Sequence, residues 1–131
     1  WTGIHIVQLH GDEDPEFASR FTRPVIKTIR VESRDSLKGM ESYRVSAFLL
    51  DSHSPQYGGS GRTFDWEIAI SAKRYGRIIL SGGLTPDNVR SAVEMVSPYG
   101  VDVASGVEQE PGKKDHKLIA LFIRNAKGIS D

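Results

Sequence analysis

Short runs of β-branched and aliphatic residues recur along this chain, and the stretches between them carry helix-start chemistry. The apolar runs cover residues 4–9, 25–31, 47–51, 77–80 and 101–104. The run Val25-Ile26-Lys27-Thr28-Ile29-Arg30-Val31 is the most β-branched. Asp14-Pro15-Glu16 places an N-cap residue before a proline at the first helical position and predicts a helix over 17–21. A weaker helix is expected over 36–43, and another over 64–73. Thr85-Pro86-Asp87-Asn88 has N-cap chemistry ahead of a helix over 89–96. The final helix is expected over 115–127, with Gly128 placed to cap its C-terminus. Strands that alternate with helices imply an α/β fold, with about five βα units of parallel sheet joined by crossovers.

A doubly wound open sheet and a (β/α)8 barrel both fit that alternation. The strand ends help to separate them. They carry Gln8 and His10, then Asp51, then Gly82-Gly83, then Ser105-Gly106. Polar residues and glycines gathered at the C-terminal ends of successive strands match the active face of a barrel. The expected architecture is therefore a partial (β/α)8 barrel, with residues 1–131 as one truncated domain. The chain opens on Trp1 and runs almost at once into a strand-like segment, which fits a fragment of a longer barrel.

Composition narrows the function classes. Lys plus Arg and Asp plus Glu both number 17, so no basic surface for nucleic acid or acidic lipid is expected. No apolar run is long enough to span a membrane, and no basic-then-apolar leader opens the chain. A cytoplasmic location is the default expectation. There are no cysteines, so disulfides, thiolate metal sites and a cysteine nucleophile are absent from this sequence. The four histidines, His5, His10, His53 and His116, lack metal-ligand spacing, and no metal or cofactor is expected.

Side-chain parity points to where chemistry could sit. Ala47, Leu49 and Asp51 share one face of their strand, and Phe48 and Leu50 share the other. Asp102 and Ala104 oppose Val101 and Val103, while Ile4, Ile6, Gln8 and His10 align. If helices cover the larger apolar faces, Asp51, Asp102, Gln8 and His10 point into the barrel mouth. A partly desolvated carboxylate there would have a raised pKa, as a general acid needs. The plainer reading of Asp51 is a loop cap or the partner of a basic residue. Ser81-Gly82-Gly83 and Ala104-Ser105-Gly106 end successive strands. Loops in such places bind phosphate through backbone N–H groups, although each alone also reads as an ordinary turn. The segment 57–63 is either a phosphate cradle or lid, or a long surface loop.

Several blocks resemble the phosphoribosylanthranilate isomerase family. They are Gln8-Leu9-His10-Gly11, Leu49-Leu50-Asp51-Ser52, the segment from Gly58-Gly59-Ser60-Gly61 to Thr63-Phe64-Asp65-Trp66, Leu80-Ser81-Gly82-Gly83-Leu84-Thr85-Pro86, Gly100-Val101-Asp102-Val103-Ala104-Ser105-Gly106-Val107-Glu108, and Pro111-Gly112-Lys113-Lys114-Asp115. The resemblance covers nearly the whole chain in family order. It implies a (β/α)8 barrel of which this chain holds the fourth to eighth strands. A complete barrel needs roughly 200 residues or more.

The resemblance also implies a reaction, the Amadori rearrangement of N-(5-phosphoribosyl)anthranilate in tryptophan biosynthesis. Asp51 would be the general acid. Gly82, Gly83, Ala104, Ser105 and Gly106 would hold the substrate phosphate, with Asp102, Gln8 and His10 lining the pocket. Ala104 stands where many relatives have serine. The family's general base is a cysteine on the first strand, which this sequence does not contain, so the isolated chain is expected to be inactive. The partner is a phosphorylated small molecule. Open barrel edges are expected to drive dimerisation or aggregation. The rivals are a non-catalytic phosphate-binding half-barrel and another phosphate-binding barrel, such as indole-glycerol-phosphate synthase. That enzyme would need a catalytic strand lysine; Lys27 sits on a strand, but the blocks around it do not match.

Overall fold

The computed structural model describes residues 3–52 and 63–128. Its centre is a five-stranded parallel sheet: β1 (Val7–Leu9), β2 (Val25–Val31), β3 (Ala47–Ser52), β4 (Ile78–Leu80) and β5 (Gly100–Val101). The strands lie side by side in chain order, β1-β2-β3-β4-β5. A doubly wound sheet would reverse that order part-way. Here every crossover steps in one direction, so the helices cover one face and the other is left as a barrel interior would be.

The helices are α1 (Pro15–Ser19), α2 (Trp66–Ala72), α3 (Val89–Val96) and α4 (His116–Ala126). Three start on a side-chain cap. Asp14 accepts from the Phe17 N–H, Asp65 from that of Glu67, and Asp115 from those of Lys117 and Leu118. Gly128, at φ 66°, follows the last helix. On the covered face Phe48, Leu50, Ile78 and Leu80 pack with Ile68, Ala69, Ala72, Val89, Ala92, Val96 and Phe122 in one buried cluster. Leu9, Val25 and Ala18 form a smaller one beneath α1.

The structure changes four expectations. The first strand is only Val7–Leu9, and Ile4 and Ile6 are exposed outside it. Its first rung runs from the Val7 N–H to the carbonyl of Pro24, which has no N–H to return for a further rung. The helix expected over 36–43 is two 3₁₀ turns, Arg34–Leu37 and Met40–Ser42. Gly39, at φ 86°, breaks it, and the turns instead plug Leu37 and Met40 into the core. The last strand ends at Val101 rather than 104, because the chain curls into a 3₁₀ turn at Ser105–Val107. Beyond that turn stands an unforeseen hairpin, β6 (Glu108–Glu110) and β7 (Lys113–Lys114), turned by Pro111 and Gly112 (φ 81°) and tied by a Glu108–Lys114 ion pair of 2.7 Å. Residues 57–62 of the glycine-rich segment, and His53, lie outside the described residues.

Candidate active site

Strand register decides which side chains meet. Gln8 pairs with Ile26, Thr28 with Leu49, and Arg30 with Asp51. Partners in a parallel ladder point the same way. Phe48 and Leu50 are committed to the helix side, so Gln8, Thr28, Arg30 and Asp51 share the uncovered face. The parity expected for Asp51 holds in the fold.

On that face a polar row runs across three strands. Gln8 Nε2 donates to Thr28 Oγ1 at 3.5 Å, and Thr28 Oγ1 stands 3.4 Å from His10 Nδ1. His10 Nε2 lies 3.9 Å from Asp51 Oδ2, an ion pair when the imidazole is protonated. Burial pushes the Asp51 carboxyl above the usual aspartate range. His10, the Ser52 N–H and Arg30 pull the other way, while the nearby charge of Asp102 adds to the rise. Asp102 is held in turn by the buried Ser81, whose Oγ donates to Asp102 Oδ2 at 2.9 Å. The structure thus gathers Gln8, His10, Asp51 and Asp102 in one neighbourhood at the strand ends.

The two glycine turns form a second feature on the same edge. Gly82 and Gly83 have φ of 81° and 67°. A Cβ on Gly82 would collide with the backbone nitrogen of Ser52, and one on Gly106 with the carbonyl oxygen of Leu84. The turn after β4 therefore packs tightly both on the end of β3 and on the turn after β5. Asn88 braces the first turn: its Oδ1 accepts from the Thr85 N–H at 2.8 Å, and its Nδ2 donates to the Gly83 carbonyl at 2.9 Å. Asn88 thus serves the turn rather than the α3 N–H groups. Ala104 and Ser105 are exposed, and the Ala104 carbonyl accepts from Lys114 Nζ at 2.8 Å.

Thr28, Arg30 and Ser81 belong to this neighbourhood and were not singled out as side chains from sequence. Register against β3 is what puts the first two on the face of Asp51. Lys27 resolves a rival. It pairs with Leu9 and Phe48, both buried on the helix side, so its amine points away from Asp51. A catalytic strand lysine in the mouth, as the synthase reading requires, is not what Lys27 provides. Among the described residues no three His, Asp or Glu side chains stand together as a metal site.

Comparison with known proteins agrees with this geometry. The family model described as N-(5'phosphoribosyl)anthranilate (PRA) isomerase matches residues 2–125. The chain belongs to this family. It is 58% identical over 127 residues to the N-(5'-phosphoribosyl)anthranilate isomerase of Geotalea uraniireducens, covering 96% of this chain and 63% of that protein. The crystal structure of phosphoribosyl anthranilate isomerase from Thermotoga maritima superposes with a TM-score of 0.83 at 47% identity, over 96% of this chain and 63% of that one. A phosphoribosyl anthranilate isomerase in complex with reduced 1-(o-carboxyphenylamino)-1-deoxyribulose 5-phosphate superposes with a TM-score of 0.78 at 41% identity, over 96% and 61%. The chain spans about three-fifths of the length of the curated relatives it matches. The fold they share is the barrel expected from the strand ends, here as five parallel strands of an unclosed wall.

Proposed function

We propose that this chain supplies the acid end and the phosphate cradle of a phosphoribosylanthranilate isomerase. The observation that carries the reading is Asp51: a carboxyl at the end of the central strand, lifted by burial and placed beside His10 on the uncovered face. A proton held there reaches the furanose ring oxygen of N-(5-phosphoribosyl)anthranilate. Its transfer breaks the C1–O bond, opens the ring and leaves an iminium between C1 and the anthranilate nitrogen. Loss of the C2 proton to a base then gives an enolamine, which ketonises to the aminoketose. The family resemblance gives that base as a cysteine, and this sequence contains none.

The phosphate is held by backbone N–H groups of Gly82, Gly83, Ala104, Ser105 and Gly106, where neighbouring backbone leaves no room for a side chain at two of the five positions. Asp102, set by Ser81, and Gln8 with His10 line the pocket between the two ends. A relative that binds the reduced product analogue supports this choice of ligand. On the same reading the chain works in the cytoplasm, its uncovered β1 and β5 edges favour self-association, and alone it turns over no substrate.

Complementation tests the reading. The chain is joined to the first three βα units of a related isomerase, and loss of the fluorescent anthranilate substrate is followed. Turnover that vanishes with Asp51→Asn is the expected result. A folded, closed barrel that binds phosphate esters without turnover would favour a non-catalytic phosphate-binding half-barrel instead.

A further inference from the structure

Lys27 is among the most buried charged residues described, at 3% exposure, and no step of the proposed reaction uses it. Its Nζ donates to the Gly11 carbonyl at 2.6 Å and to Glu13 Oε2 at 2.9 Å, and lies 6.0 Å from the centre of the Tyr43 ring. Glu13 Oε2 also accepts from the Gly11 N–H at 3.0 Å, and Tyr43 Oη donates to the Glu13 carbonyl at 2.8 Å. Each of these hydrogen bonds holds residues 11–13, between β1 and α1. Gly11 is bonded to His10, whose ring meets Thr28 and faces Asp51. Lys27 and Thr28 are consecutive on β2 and point to opposite faces of the sheet. One grips the segment from the helix side through Gly11, and the other meets the imidazole on the uncovered side.

We propose that Lys27 is a positioning residue: acting through the sheet, it clamps residues 11–13 and so sets His10 against Thr28 and Asp51. A buried ammonium is costly unless fully paired. Packing alone would be served as well by an apolar side chain of similar length, whereas the lysine reaches two acceptors of one segment, the neighbour of His10 among them. The clamp rests on the reading of Asp51 as the acid only for its effect on turnover; its effect on geometry stands by itself.

Nuclear magnetic resonance on the full chain tests the geometry. Lys27→Met keeps the length and leaves Glu13 free to hydrate. In the wild-type chain, Asp51→Asn should shift the His10 imidazole signals. In the Lys27→Met background that response should fall to a small fraction, while the Phe48, Leu50, Ile78 and Leu80 amides keep their positions. An undiminished response would overturn the proposal. If Lys27→Met does not fold, Glu13→Gln is read in the same way, since it keeps an acceptor for the lysine but weakens the grip. A response partly reduced is then expected, and one unchanged overturns the proposal. In the complemented barrel, Lys27→Met should lower kcat/KM on the order of tenfold, and should add no loss to His10→Ala. Equal losses in both backgrounds would mean a merely structural lysine. An inactive complemented wild type would remove the functional reading and leave the imidazole measurement to decide the clamp.

Discussion

The two ends of the candidate site are built from different materials. At the β1–β3 end, side chains do the work: Gln8, His10, Thr28 and Asp51 reach one another across strands at 3.4–3.9 Å. At the β4–β5 end the backbone does it, in turns so close that Gly82 and Gly106 have no room for a Cβ. A site made of side chains can lose its chemistry and keep its fold. A site made of backbone loses both together. Substitutions should therefore separate the two ends by which property fails first.

The largest effect is expected from Asp51→Asn in the complemented barrel. Removal of a general acid costs about 10²–10⁴ in rate, and steady-state assay should find that loss with the melting curve intact. Gly106→Ala should do the reverse. Its Cβ must displace the Leu84 carbonyl or the turn that carries it, at a cost on the order of 3 kcal/mol, visible in urea unfolding of the chain before any assay is run. Gly82→Ala should behave alike, because its φ of 81° adds strain to the clash with Ser52. A Gly106→Ala chain of unchanged stability would dissolve the contrast between the two ends. Ser81→Ala lies between the extremes. It removes the 2.9 Å hydrogen bond to Asp102. Asp102 is exposed and can turn to water, so about 1 kcal/mol is expected, together with a weaker hold on the pocket seen as a raised KM.

The smallest effect is a pH dependence. The Asp51 carboxyl titrates above its unfolded-chain value because of burial. Below that unfolded value both states are protonated and the group contributes nothing. As pH rises from there through the folded value, the unfolded state ionises first and stability falls. Above it the full penalty stays. Asp51→Asn should therefore melt slightly higher than the wild-type chain at neutral pH, with the gap closing as pH drops below the ordinary aspartate range. Melting temperatures of both across that range check the sign.

The same division explains what the sequence made legible. Alternating apolar runs at β2 and β3 are long enough to fix period and parity, so Asp51 was readable as an inward residue at a strand end. The Asp14-Pro15 pair announced the first helix, whereas the cap at Asp115 is visible only in the structure. Parity alone could not supply the partners. Thr28 and Arg30 sit within a run that carries β-branched residues on both faces, and only register against β3 shows that they stand beside Asp51. Edge elements were read too long, since a strand paired on one side ends where its neighbour ends, as β1 does at Pro24. The glycine turns were visible as turns. Their mutual contact is not a property of either segment, because it arises only when consecutive strands lie side by side. The blocks around Lys27 already spoke against a synthase lysine, and its partners Leu9 and Phe48 add that it lies on the helix side.

The most direct test of the account is the carboxyl titration of Asp51, followed by ¹³C resonance in the chain itself. The account predicts a midpoint above the ordinary aspartate range that moves when a ribose phosphate ester is added. A midpoint at or below that range, unmoved by the ester, would contradict it and leave Asp51 as a loop-capping residue.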